Sequence, residues 1–207
     1  MPQSAPVAIG MRRESELASD GRVRRGERSG QAIVGALVGL VGEGMLAPTA
    51  QQVAARAGVG IRTVFRRFSD MESLFAEMSA RVQGQALPLL LGGRPNGDLT
   101  ERARALVEQR AAFFERIASY KRAASLKRWR SPFLRDNHAR LVRGLRTDLM
   151  RRLPELRSAP EDVVNAFDLA TSFEAWDRLR TEQRLPRERA QAAVERMVLC
   201  LVAELAR

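Results

Sequence analysis

A single cysteine in 207 residues cannot close an internal disulfide, so packing must hold the fold, and a lone thiol suits a reducing, cytoplasmic setting. Histidine is equally scarce. His138 and Cys200 lie far apart, no Cys/His cluster has metal-ligand spacing, and no glycine-rich loop could cradle a phosphate. No metal site, cofactor or enzymatic activity is therefore expected. Cys200 falls in an apolar run and is expected to be a buried, inert thiol; His138 follows Asn137 in a polar stretch and is expected to face solvent. Apolar runs fall short of the roughly 20 residues a membrane helix needs, and residues 1–30 have no apolar signal-peptide centre, so no membrane association is expected.

Acidic residues are also in deficit, with 24 Asp/Glu against 35 Lys/Arg and a net charge of +11, which favours an anionic partner. The excess is uneven. Residues 1–82 carry 11 basic and 8 acidic groups, residues 83–207 carry 24 and 16, and Lys121 to Arg157 holds 12 basic residues against Asp136, Asp148 and Glu155. That block reads either as solvated helix faces or as an anion-binding surface.

Apolar content of 45% supports a sizeable core. Its periodicity is helical throughout, with no strand pattern and no internal repeat, so the fold class is all-α. Residues 1–28, with Pro2, Pro6, Gly10, Gly21 and Gly26 among mixed charges, read as a flexible basic arm. From Ser29, Ile33, Val34, Leu37, Leu40 and Val41 recur at three and four until Gly42 to Gly44. Thr49 and Gln52 form a capping box that opens a helix to Ala57, ended by Gly58. A second helix spans Ile61 to Phe68. Ser69 and Glu72 suggest another capping box, opening a helix through Met71, Leu74, Phe75, Met78 and Val82, and Leu87 to Gly97 reads as a Pro/Gly-rich break. Later starts are expected at Asp98 with Glu101, at Ser131-Pro132, at Ser158 with Glu161, and after Pro186. The expected domains are 29–80 and 81–207.

The stretch "PTAQQVAARAGVGIRTVFRRF" carries the functional signal. Ala54, Gly58 and Val64 have helix-turn-helix spacing: a small residue permits close approach, a glycine makes the turn, and an apolar residue fills the angle between helices. The second helix of such a motif enters the major groove with its first residues at base edges, here Ile61, Arg62 and Thr63 after Gly60. Arg62 has the fork to read guanine, worth roughly 1–3 kcal/mol of discrimination. Arg66 and Arg67 suit phosphates, as does Thr49 at a helix N-terminus. An amphipathic hairpin within a helical bundle is the alternative reading of the Ala/Gly/Val spacing.

The segment "AIVGALVGLVGEGMLAPTAQQVAARAGVGIRTVFRRFSDMESLFAEM", with Thr49, Val53-Ala54, Ala57-Gly58-Val59, Phe65, Phe68 and Leu74 in order, resembles the tetracycline-repressor-like (TetR) family of transcriptional regulators. About 50 residues carry the resemblance, and the tail from Thr171 is more loosely similar to the family's last two helices. Phe65 stands where the family usually has a phosphate-contacting tyrosine, and Met71 where it usually has a lysine. Arg22, Arg24, Arg25 and Arg28 of the arm offer compensating charge for the minor groove.

The resemblance implies a homodimer on a pseudo-palindromic double-stranded DNA operator, most commonly a repressor, released by a small-molecule effector. It places an effector pocket in residues 83–157, where Phe113, Phe114, Tyr120, Trp129, Phe133 and His138 are candidate lining, and where aromatic residues equally suit plain core. It places the dimer interface on the last two helices, for which Phe167, Phe173, Trp176, Val194, Val198 and Leu201 are candidates; burial of both helices within one monomer is the competing reading. Two other functions remain open: a regulator without DNA binding that acts through protein contacts, and an arginine-rich RNA or nucleoid binder using Lys121 to Arg157.

Overall fold

The computed structural model describes residues 26–92 and 96–205, all-helical with no strand among them. Of the arm, residues 1–25 lie outside the described residues; residues 26–28 are already helical, so the first helix starts before Ser29. The chain divides into two compact units, Met1–Met78 and Ser79–Arg207.

The first unit is built from α1 (26–42), α2 (Ala50–Ala57), α3 (Ile61–Arg67) and the start of α4 (Met71–Leu91). Its core joins Ile33, Leu37 and Val41 of α1 with Val53, Ala54, Val64, Leu74, Phe75 and Met78. Thr49 caps α2 in a reciprocal capping box with Gln52. Gly58 then turns the chain at φ 64°, ψ 33°, its amide on the Ala55 carbonyl and that of Val59 on Ala54, which satisfies two of α2's terminal carbonyls. The cap of α4 is one residue later than expected. Asp70, not Ser69, accepts the Ser73 amide at 2.7 Å, because a helix beginning at Met71 puts Asp70 at the capping position. That bond leads the influences holding the Asp70 carboxyl below its usual range.

α4 continues through 87–91, where the sequence suggested a break. Pro88 deprives the Gly84 carbonyl of its helical donor, but buried Ala86 and Leu90 hold this turn against the second unit's core. That unit contains the remainder of α4, α5 (Leu99–Arg128), α6 (Pro132–Arg152), a 3₁₀ turn (Pro154–Arg157), α7 (Glu161–Ala170), α8 (Phe173–Asp177), a π turn (Arg178–Glu182) and α9 (Arg187–Leu205). Asp98 and Glu101 form the capping box of α5, and Ser131 caps α6 with Pro132 at its first position. Ser158 does not cap α7: the 3₁₀ turn intervenes, the Ser158 hydroxyl donates to the Glu155 carbonyl, and Pro160 occupies the capping position.

α5 is the central helix, packed against α6 on one side and α9 on another. Phe113 and Phe114 are buried in this core, with Phe114 edge-on to Phe173 at 5.7 Å between ring centroids. The core also encloses charge. Asp148 (4% exposed) accepts from the Arg152 Nε (2% exposed) at 3.0 Å, while Arg152 Nη2 donates to the Leu90 carbonyl. Arg110, equally buried, donates to the carbonyls of Thr171 and Leu145. Much of the basic block is thus spent inside the unit: Arg122 pairs with Asp177, Arg146 with Asp168, and Arg151 and Arg152 with Asp148.

Candidate nucleic-acid interface and effector cavity

Helix α3 is anchored by one residue and exposed on the rest. Val64 is 1% exposed and packs under α2, a burial worth roughly 1.5–3 kcal/mol, while Ile61, Arg62, Phe65, Arg66 and Arg67 face solvent and Thr63 is half-buried. No side chain caps α3, since its capping residue is Gly60, so the first amides of the helix are left for an external acceptor. The exposed set is the one a helix-turn-helix turns towards a groove.

The arginines divide by what they already hold. Arg62 and Arg66 make no ion pair among the described residues. Arg67 donates its Nε to the Gly26 carbonyl at 2.8 Å, which joins the end of α3 to the start of α1. One donor of Arg67 is thus committed within the unit. Arg56 makes a two-pronged pair with Glu43, at 2.9 and 2.5 Å, which ties α2 to the end of α1 and holds the Glu43 carboxyl below its usual range. Thr49 is exposed, but its hydroxyl donates to Gln52 and accepts the Gln52 amide. A phosphate at this end of α2 would meet the unbonded Ala50 and Gln51 amides first.

The second unit holds a narrow cavity between α4, α5 and α6. It encloses about 470 Å³ counting its open mouth. Of the aromatic candidates only Tyr120 lines it. Phe113 and Phe114 are core, Trp129 is 69% exposed under the Arg130 guanidinium, and Phe133 is exposed near Arg140. His138 does not face solvent freely. It lines the cavity with Nδ1 2.8 Å from Lys121 Nζ, and burial, with Lys121 beside it, holds its pKa below the usual value. Burial likewise pushes Lys121 down to about 8, opposed by Glu174 and Asp177 and reinforced by Arg128.

The candidate interface residues on the last helices point elsewhere than expected. Phe167, Phe173, Trp176, Val194 and Val198 are buried within the unit itself, because these are the positions that α8 and α9 turn towards α5 and that α7 turns towards its neighbours α6, α8 and α9. The apolar surplus lies on the opposite face. Leu169 (66% exposed), Met197, Cys200 and half-buried Leu201 line an open groove across α7, α8 and α9. Cys200 is therefore exposed, one helix face away from Val194 and Val198, and not an interior thiol. The apolar residues of these helices thus divide between an inward stripe and an outward one.

Among the described residues no group of three His, Cys, Asp or Glu could hold a metal ion, and no helix is long and apolar enough to cross a membrane. Residues 33–78 match the family of bacterial regulatory proteins called the tetR family. No curated protein matches the chain. Among solved structures, a transcriptional regulator from Rhodococcus sp. RHA1 is 21% identical with a TM-score of 0.65, covering 86% of this chain and 96% of its own. A Rhodococcus sp. protein described as a TetR-family transcriptional regulator is 14% identical with a TM-score of 0.62, covering 84% and 98%. The multidrug binding protein EbrR, complexed with imidazole, is 22% identical with a TM-score of 0.55, covering 81% and 88%. The matched segment coincides with the helices that bury Val64 and expose Arg62, so residues 33–78 form a helix-turn-helix DNA-binding head of the tetR family, and the fold is shared with these solved structures over most of the chain.

Proposed function

We propose that the chain is a homodimeric repressor that reads a pseudo-palindromic operator with two α3 helices and releases it when a small molecule enters the second unit. The observation that carries the reading is the state of α3: a seven-residue helix whose one buried residue is Val64, with Arg62 and Arg66 exposed and without an ion pair among the described residues. One such head spans only a few base pairs, so useful specificity calls for two on a two-fold axis. The groove lined by Leu169, Met197, Cys200 and Leu201 supports self-association, since α7 and α9 expose apolar surface that a monomer gains nothing by leaving wet. The α4–α6 cavity supports effector binding, as does the fold shared with a multidrug binding protein crystallised with imidazole. Release requires the effector to bind the DNA-free arrangement more tightly than the DNA-bound one.

Within the head, Arg62 reads bases while Arg66 and the N-terminal amides of α2 hold phosphates. The test is selection of bound duplexes from a random pool at physiological salt, followed by Arg62→Ala and Arg66→Ala. A pseudo-palindrome should emerge. Arg62→Ala should cost roughly 1–3 kcal/mol on it and little on random DNA, and Arg66→Ala should weaken both alike. Enrichment of nothing by a folded dimer would transfer the function to protein contacts, with Phe65 and Met71 as lost phosphate anchors.

A further inference from the structure

The α4–α6 cavity has an unusual balance of charge for an apolar slot. Lys121 and Arg128 both line it, and no aspartate or glutamate does. Neither cation has a carboxylate within 4 Å among the described residues; Lys121 Nζ is hydrogen-bonded to His138 Nδ1 and lies 5.2 Å from the centre of the Phe173 ring. The nearest acids act from α8, outside the lining: Asp177 is committed to Arg122, and Glu174 is exposed. An ammonium so placed keeps donors to spare, since one proton points at His138 and an ammonium has three. Its neighbours in the wall include neutral hydrogen-bonding groups, Ser79, Gln83, Tyr120, Ser125 and Asn137, and the apolar part of the wall is Val82, Ile117, Ala124, Leu134 and Leu141.

We infer that this cavity binds a small organic anion, a monocarboxylate whose head sits between Lys121 and Arg128 and whose narrow apolar body lies along Val82, Ile117, Leu134 and Leu141. The inference rests on the effector reading above and supplies the chemical class that reading leaves blank. A cationic or neutral ligand would leave two partly desolvated cations unpaired, and a cation would also be repelled by both. A carboxylate supplies the missing charge and accepts from both donors, with Lys121 as a point charge and Arg128 as a fork.

The test uses the full-length protein without DNA, by titration calorimetry at neutral pH, with butyrate, hexanoate and octanoate as probes and hexanamide, hexylamine and inorganic phosphate as controls. Affinity should rise about fourfold per added methylene until the slot is full. The amide and amine should bind at least tenfold more weakly than hexanoate. Lys121→Met and Arg128→Gln, each confirmed folded by circular dichroism and thermal melting, should each weaken hexanoate at least tenfold without affecting its amide. Equal binding of acid and amide, indifference of hexanoate to both substitutions, or tight phosphate with no carboxylate binding would each overturn the inference, the last by showing a site for an inorganic anion. A separate release assay on operator DNA keeps the two readings apart. If hexanoate binds through Lys121 but does not release DNA, the ligand assignment stands and the effector role falls; if hexylamine releases DNA and hexanoate does not, the effector role stands and the ligand assignment falls.

Discussion

Replacing Asp148 with leucine should destabilise the protein far more than its size suggests. The second unit buries two guanidiniums, Arg110 and Arg152, around this one buried carboxylate, which lies within 3.1 Å of Arg152 Nε through both oxygens. Burial already pushes Arg110 down to about 10, and Asp148 is the strongest influence opposing that fall. Without it Arg152 loses its buried counter-charge and Arg110 keeps only the weaker influence of Asp168, in a medium that cannot solvate them, a cost of about 3–5 kcal/mol. A domain of this kind has only about 5–15 kcal/mol to lose. Arg152→Leu should cost less, about 2–3 kcal/mol, because Arg151 still reaches Asp148 from solvent at 2.7 Å, although the Leu90 carbonyl loses its donor. The double replacement removes the pair itself but still deprives Arg110 of Asp148 and the Leu90 carbonyl of its donor, so its cost should fall below the sum of the two single changes. Urea unfolding of all four proteins at one fixed concentration measures this coupling, the fixed concentration being needed because association would add its own stabilisation. Additivity within about 0.5 kcal/mol, or a cost for Asp148→Leu below about 1 kcal/mol, would refute the picture of a shared buried counter-ion.

Gly58→Ala should cost about 1–2 kcal/mol for backbone strain alone, since φ is 64° and an added Cβ would meet nothing within 4 Å; thermal unfolding followed by circular dichroism reads it, and no change would mean the turn adopts another conformation. Asp70→Ala should lower the melting temperature in the same assay and Ser69→Ala leave it nearly unchanged, with the reverse order restoring Ser69 as the cap. Met197→Glu, on the exposed face of α9, should shift a dimer towards monomer in sedimentation velocity while leaving the melting of the separated monomer near that of a wild-type monomer; an unchanged sedimentation coefficient would rule this face out. Lys121 gives a pH signature. Its folded pKa, about 8, lies below its ordinary 10.5, so between those values the unfolded chain binds more protons and stability should rise with pH, a slope absent from Lys121→Met. Hexanoate affinity should move the other way and fall above about pH 8 as the ammonium facing Arg128, His138, Glu174, Asp177 and the Phe173 ring loses its charge.

Local signals were legible wherever the physics is local. The caps at Thr49, Asp98 and Ser131, the glycine stop at Gly58 and the buried plug at Val64 each depend on residues within a few positions of one another, and each stands in the structure as its sequence spacing suggests. Choosing between Ser69 and Asp70 was less secure, because two potential caps in succession compete and the helix start decides between them. The passage of α4 through Pro88 was hidden, since the burial of Leu90 that maintains the helix comes from residues distant in sequence. The same distance explains the aromatic candidates. Phe113 and Tyr120 share α5 with full helical periodicity, and only the packing of α6 decides that one is core and the other wall. Nor could spacing tell which stripe of α9 faces α5, because both stripes are apolar and Cys200 is compatible with either.

The bond between Arg67 and Gly26 makes a residue of the first helix a regulator of the charge on the DNA-facing side. A β-carbon at position 26 would come within 2.9 Å of the Arg67 Nη2, and the flexible guanidinium is the group that would yield. Any side chain at 26 would therefore free a third arginine beside Arg62 and Arg66. Such a change would raise affinity for every sequence and steepen its salt dependence by about one counter-ion, at the expense of discrimination. Residues 26 and 67, 41 positions apart, are thus coupled through one hydrogen bond.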